Sequence, residues 1–265
     1  MDRIAQAFST AQAAKRAAFV SYVCGGDPDA ATSLAVLKAL ADSGADILEI
    51  GVPFSDPLAD GLTNQLAAQR ALAAGMTHDK FFALIDELRA HTQKPVVLYT
   101  YYNLIYSQGV EAYVARCARA GVDGILALDC PPEEAGELIA ACRKHRVANI
   151  FIVAPTTPPE RVKLIAEHAS GFIYYVSRTG VTGERSDVAA DIADAVAQIR
   201  KHAKVPVVVG FGISTPEHVR AVGAVADGVV VGSALVNVIS QNLADRAAIA
   251  PAMAEKTKLL ASGLR

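Results

Sequence analysis

The stretch PVVVGFGISTPEHVRAVGAVADGVVVGSAL, residues 206 to 235, repeats one short plan twice. A β-branched run (PVVVG, 206 to 210; GVVVG, 228 to 232) ends on glycine, and a segment with helical spacing follows it. Outward from here the plan recurs along the chain. FVSYV at 19 to 23, ILEI at 47 to 50, PVVLY at 95 to 99, GILAL at 124 to 128, NIFIV at 149 to 153 and FIYYV at 172 to 176 bring the strand-like runs to eight. Between them lie helical patterns such as AATSLAVLKALADSG (30 to 44) and VEAYVARCARAG (110 to 121). The alternation predicts parallel strands joined by right-handed crossovers. A doubly wound open sheet would give a similar string, but eight similar units favour closure, so the expected fold is a (β/α)8 TIM barrel.

The length agrees. A chain of 265 residues, 52% hydrophobic, matches the roughly 250 typical of this barrel, so residues 1–265 read as one domain. Arg3 to Lys15 is amphipathic and is expected as an extra N-terminal helix capping the barrel bottom, with Ile4, Ala7 and Phe8 inward. Asp29, Pro131-Pro132-Glu133-Glu134, Pro158-Pro159-Glu160 and Ser214-Thr215-Pro216-Glu217 mark helix starts. Residues 51–65 and 177–191 are too long for plain connections and follow strands two and six, where barrel enzymes build their sites; extra short helices are also expected in the fold.

Composition narrows the partners. Net charge is -2, pI about 6.3, and no long run of like charge offers a nucleic-acid footprint. No stretch of about 18 apolar residues suits a membrane span, and the charged start is unlike a signal peptide, so the expected location is cytoplasmic. The four cysteines (24, 117, 130, 142) are isolated, with no C-x-x-C pair or histidine at ligand spacing, so neither a metal site nor a disulfide framework is expected. The six histidines read as helix-surface residues.

The chemistry concentrates in two places. Glu49 lies inside the second strand among apolar neighbours, where a lone carboxyl is costly unless it faces the barrel mouth or takes up a proton. A raised pKa of that kind suits a general acid and base near neutral pH. Asp56 and Asp60 follow in a loop held by Pro53, Pro57 and Gly61, and Asp60 with Glu49 can address opposite sides of one substrate. At the other end, the late glycine turns GFGIS (210 to 214) and GVVVGSAL (228 to 235) are read as opening helices whose N-termini face an anion, the phosphate site expected after strands seven and eight. Gly180 and Gly183 could add donors. In YTYYN (99 to 103) and at Tyr174-Tyr175, Tyr101 and Tyr174 are expected to face the pocket and Tyr102 and Tyr175 to pack.

LEIGVPFSDPLADG (48 to 61), YYVSRTGVTGERS (174 to 186), GFGIS and GVVVGSALV together resemble the alpha subunit family of tryptophan synthase, over nearly the whole chain from Gly26-Asp27-Pro28 onward. The resemblance implies cleavage of indole-3-glycerol phosphate to indole and glyceraldehyde 3-phosphate. By position, Glu49 matches the catalytic acid and base, Asp60 the second catalytic carboxylate, and Thr182 a loop threonine that reaches Asp60 on closure. Gly183, Gly212, Gly232 and Ser233 match phosphate donors, with Phe211 beside them in the substrate site. It implies no cofactor in this chain and docking on a pyridoxal-phosphate beta subunit in an alpha-beta-beta-alpha heterotetramer, through Pro53, Asp56 and Pro131. A free-standing lyase without a beta subunit is the alternative. Tyr22, Leu62, Asn64 and Cys130 depart from residues common in the family: Tyr22 brings a hydroxyl to an indole wall, and Leu62 loosens the loop where a proline would fix φ.

Overall fold

The computed structural model describes residues 2–177, 185–210 and 212–264. Its parallel strands are β1 (Ala18–Cys24), β2 (Ile47–Gly51), β3 (Val96–Thr100), β4 (Gly124–Ala127), β5 (Ala148–Val153), β6 (Ile173–Val176), β7 (Val207–Gly210) and β8 (Gly228–Val231). They form a closed barrel in chain order. Each expected run falls within one residue of its strand at both ends. Closure is made by β1 and β8, which pair from Ala18 beside Gly228 to Ser21 beside Val231, and this pairing separates the barrel from an open sheet.

The helices are α1 (Arg3–Ala13), α2 (Ala30–Asp42), α3 (Leu62–Ala73), α4 (His78–His91), α5 (Tyr102–Tyr106), α6 (Val110–Arg119), α7 (Gly136–His145), α8 (Pro159–His168), α9 (Arg185–Arg200), α10 (Pro216–Gly223), α11 (Ser233–Gln241) and α12 (Arg246–Ala261). Extra helices therefore follow β2, β3 and β8. The α1 helix starts where the Asp2 carboxylate accepts the Ala5 N–H at 3.0 Å. It buries Ile4 and Phe8, with Ala7 partly buried beside them. A Cβ on Gly124 would lie 3.2 Å from the tip of Ile4, and one on Gly228 3.3 Å from the Phe8 ring, so glycine at two strand starts makes room for this bottom plug.

Two helix starts, those of α7 and α3, differ from the sequence reading, while α10 begins inside the expected Ser214 to Glu217 start and GFGIS itself opens no helix. Pro131 to Glu134 form a turn, with the Glu134 N–H donating to the Pro131 carbonyl at 3.0 Å, and the helix begins only at Gly136. After β7 the helix starts at Pro216, within the expected Ser214 to Glu217 start: Thr215 Oγ1 accepts from the His218 N–H at 3.3 Å, and Gly212, at φ 69°, supplies the intervening turn. Leu62 is the first residue of α3 rather than a loop residue.

Candidate active site

In β2, Leu48 and Ile50 are buried beneath the helices, and pleating turns Glu49 the other way, into the barrel. Tyr22 of β1 and Val97 of β3 stand beside it in register. Glu49 is 1% exposed, and among the described residues its Oε1 has no hydrogen-bond partner. Burial, with the charge of Asp60 adding to it, pushes its carboxyl up to about 8. At neutral pH it is a proton donor that becomes a base once it has given the proton away.

Asp60 reaches the same space from the loop after β2. Tyr99 Oη donates to its Oδ1 at 2.9 Å, Tyr101 Oη donates to its Oδ2 at 2.7 Å, and Asn64 Nδ2 lies 3.3 Å from Oδ1. Tyr101 is itself held by the loop: its hydroxyl accepts the Ala59 N–H at 3.0 Å, and its ring lies 5.1 Å from that of Phe54. Tyr22 meets Tyr99 edge-on, with centroids 4.8 Å apart. The Tyr174 hydroxyl fills the space where a Cβ on Gly210 would sit, only 2.3 Å away, so Tyr174 points into the barrel as expected while Tyr175 packs outward. Burial raises the phenols of Tyr22, Tyr99, Tyr101 and Tyr174 above the ordinary range, keeping them neutral donors.

At the end of β8, which only β1 separates from the strand of Glu49, Gly232 caps α11, and the Leu235 and Val236 N–H groups bond its carbonyl. The amides before them, at Ser233 and Ala234, lie in the turn that an α-helix leaves without internal acceptors, and the helix dipole adds positive potential there. Gly232 also abuts the Tyr22 ring, 3.3 Å from the place of its absent Cβ, so this anion-ready helix start borders the wall beside Glu49. Gly212 turns the chain at the neighbouring end of β7. The β7 turn thus offers loop amides, while the α10 N-terminus is closed by Thr215 and Pro216. Thr182, Gly183 and Phe211 lie outside the described residues.

Of the expected docking residues, Asp56 is exposed and Pro131 half-buried, but Pro53 is buried, lining a cavity together with Phe54, Leu72 and Met76. Leu58, 91% exposed, occupies the prominent loop position instead. Sequence reasoning also missed Tyr99 and Asn64 as donors to Asp60. It missed the ion pair in which Arg70 of α3 grips both oxygens of fully buried Asp27 at 2.7 Å each. The spacing of Tyr99 and Tyr101, two apart across the end of β3, was the available signal.

A buried carboxyl poised to give and take a proton, a tethered carboxylate and a helix start ready for an anion, at one mouth of a (β/α)8 barrel, define an enzyme of the acid–base barrel class. The profile of the family "Tryptophan synthase alpha chain" matches residues 8–264. The alpha chain of Opitutus terrae is 62% identical over 243 residues, covering 92% of this chain and 91% of that one. The alpha chain of Methanothermobacter thermautotrophicus is 52% identical, covering 91% of each. Among solved structures, Mycobacterium tuberculosis tryptophan synthase superposes with TM-score 0.90 at 36% identity, covering 100% of this chain and 98% of that one. A tryptophan synthase complex from Pyrococcus furiosus gives 0.83 at 38%, covering 92% and 97%. The chain belongs to the tryptophan synthase alpha chain family.

Proposed function

We propose that Glu49 and Asp60 carry out the alpha-subunit reaction of tryptophan biosynthesis in this chain, the aldol cleavage of indole-3-glycerol phosphate to indole and glyceraldehyde 3-phosphate. The bond to C3 of the indole breaks once C3 is protonated and the adjacent side-chain hydroxyl loses its proton. Glu49 serves both needs in turn: its neutral carboxyl protonates C3, and the resulting carboxylate takes the hydroxyl proton as the carbonyl of glyceraldehyde 3-phosphate forms. Asp60 stabilises the positive charge that gathers on the ring nitrogen, an electrostatic role that grows as water is excluded. Gly212, Gly232 and Ser233 bind the phosphate through backbone amides, with Thr182, Gly183 and Phe211 completing the site. Tyr101 and Tyr174 line the ring pocket. The single observation that carries this reading is Glu49 itself, buried, lacking a partner at Oε1 among the described residues and raised to about 8, beside a carboxylate already supplied with donors.

The chain acts as one domain and needs no cofactor of its own; pyridoxal phosphate belongs to a beta subunit, with which it forms an alpha-beta-beta-alpha heterotetramer. Supporting this are the likeness to the Pyrococcus furiosus complex and the exposed apolar residues Leu58, Leu62 and Tyr106 on the loops and helices after β2 and β3, the first of them two residues from Asp56. The free-standing lyase is not favoured by these comparisons. No helix among the described residues is long and apolar enough to cross a membrane, in keeping with a cytoplasmic place. Indole release from indole-3-glycerol phosphate by the purified chain, alone and with a beta subunit, tests the assignment. A large rise on mixing is expected; no cleavage in either condition would overturn the activity, and equal rates would overturn the partnership.

A further inference from the structure

We propose that Tyr99 is a positioning residue for the cleavage: it fixes Asp60 to the barrel wall and selects which of its oxygens meets the substrate. This rests on the role given to Asp60 above.

An ionised carboxylate offers about four acceptor positions, two on each oxygen. On Asp60 Oδ1, Tyr99 Oη and Asn64 Nδ2 take both; on Oδ2, Tyr101 Oη takes one. Among the described residues the remaining position is on Oδ2, where it can accept the N–H of an indole ring. The two tyrosines are not equivalent. Tyr101 stands past the end of β3 and is tied to the loop that carries Asp60, through Ala59 and Phe54, so it moves with that loop. Tyr99 lies inside β3, paired with Gly51 of β2, and is therefore a fixed donor of the barrel wall itself.

Its ring direction is set by packing. A Cβ on Gly51 would come within 2.7 Å of the Tyr22 hydroxyl, so glycine there lets Tyr22 lie across β2 and brace Tyr99 edge-on. Because the Tyr99 hydroxyl is committed to Asp60, only the carbon ring is left to face the pocket. A tyrosine can then form part of a wall that must receive an apolar indole.

The test is a double-mutant cycle on the full chain with its beta subunit, following indole release from Tyr99→Phe, Asp60→Asn and the double variant. Tyr99→Phe keeps the ring and removes the oxygen alone. We expect kcat to fall about 10-fold with KM changed less than about 2-fold, and the same substitution to cost less than about 2-fold in kcat once Asp60 is Asn. An equal loss in both backgrounds, a change confined to KM, or an unchanged kcat would overturn the role of Tyr99 while leaving that of Asp60 intact. If Asp60→Asn alone stays within a few-fold of the parent, the charge-stabilising role of Asp60 fails and takes this proposal with it.

Discussion

Glu49 combines a catalytic asset with a cost to stability. Its carboxyl, ordinarily near 4.5, sits at about 8 because burial penalises the anion and Asp60 opposes a second negative charge. Between those values the folded chain holds a proton that the unfolded chain has released, so stability falls as pH rises through that window. Glu49→Gln cannot titrate. The melting temperature of the parent should therefore drop between about pH 5 and about pH 8 by more than that of the variant. Equal drops would show that Glu49 ionises as freely folded as unfolded. The same substitution should lower indole release by roughly 100- to 10,000-fold, since neither proton transfer remains available, while substrate still binds. Retained turnover would remove Glu49 as the proton carrier. At this scale the acids were legible because a carboxyl inside ILEI has no ordinary structural use. The partner of Tyr99 was not legible: pleating gives the inward direction of a side chain, but which group a returning loop brings to it depends on the folded path of residues 52 to 60.

The element that places Asp60 is α3, and its start is under-determined. Gly61 is the N-cap with no side-chain hydrogen bond, at φ −72° and ψ 162°, an extended conformation that a residue preceding proline adopts readily. Leu62 occupies the first helical position, where the N–H lacks an intrahelical acceptor in any case, and its side chain is 69% exposed. Leu62→Pro should accordingly stabilise the chain by about 0.4–1 kcal/mol by restricting the unfolded backbone. Urea denaturation reads this directly, and a loss of stability would mean that the site is not a true helix start. The sequence reading placed Leu62 in a loop because nothing apolar-periodic announces α3 before Leu66. The delayed start of α7 has a similar origin, since proline marks a turn at Pro131-Pro132 as well as it marks a first helical turn at Pro216, and only packing decides between them.

Across the whole molecule, chemistry and cohesion occupy opposite ends of the barrel. Three helices hand the chain to the next strand through an aspartate, and each aspartate does the same thing at the bottom face. Asp46 Oδ2 accepts the Phe19 N–H, Asp123 Oδ2 the Val96 N–H and Asp227 Oδ2 the Val207 N–H, each at 2.8 Å, so each fastens the start of a neighbouring strand. Each also binds arginine: Arg16 on Asp46, Arg3 and Arg89 on Asp123, Arg200 on Asp227. Asp123 carries the heaviest load, since it joins α1 and α4 to the start of β3 and its side chain is only 10% exposed. Removing it strands the Arg89 guanidinium, 12% exposed and already lowered to about 10 by burial, without its counter-charge. Asp123→Ala should cost about 3 kcal/mol or more, within the range for breaking one side of a buried pair. Because β3 reaches the active site at its other end, a rigid barrel should pass little of that loss to Tyr99 and Asp60, leaving kcat for indole release within about 2-fold below the melting temperature. Denaturation and turnover measured on the same preparation decide the matter: a fall in kcat matching the fall in stability would mean that the two faces of the barrel are mechanically coupled.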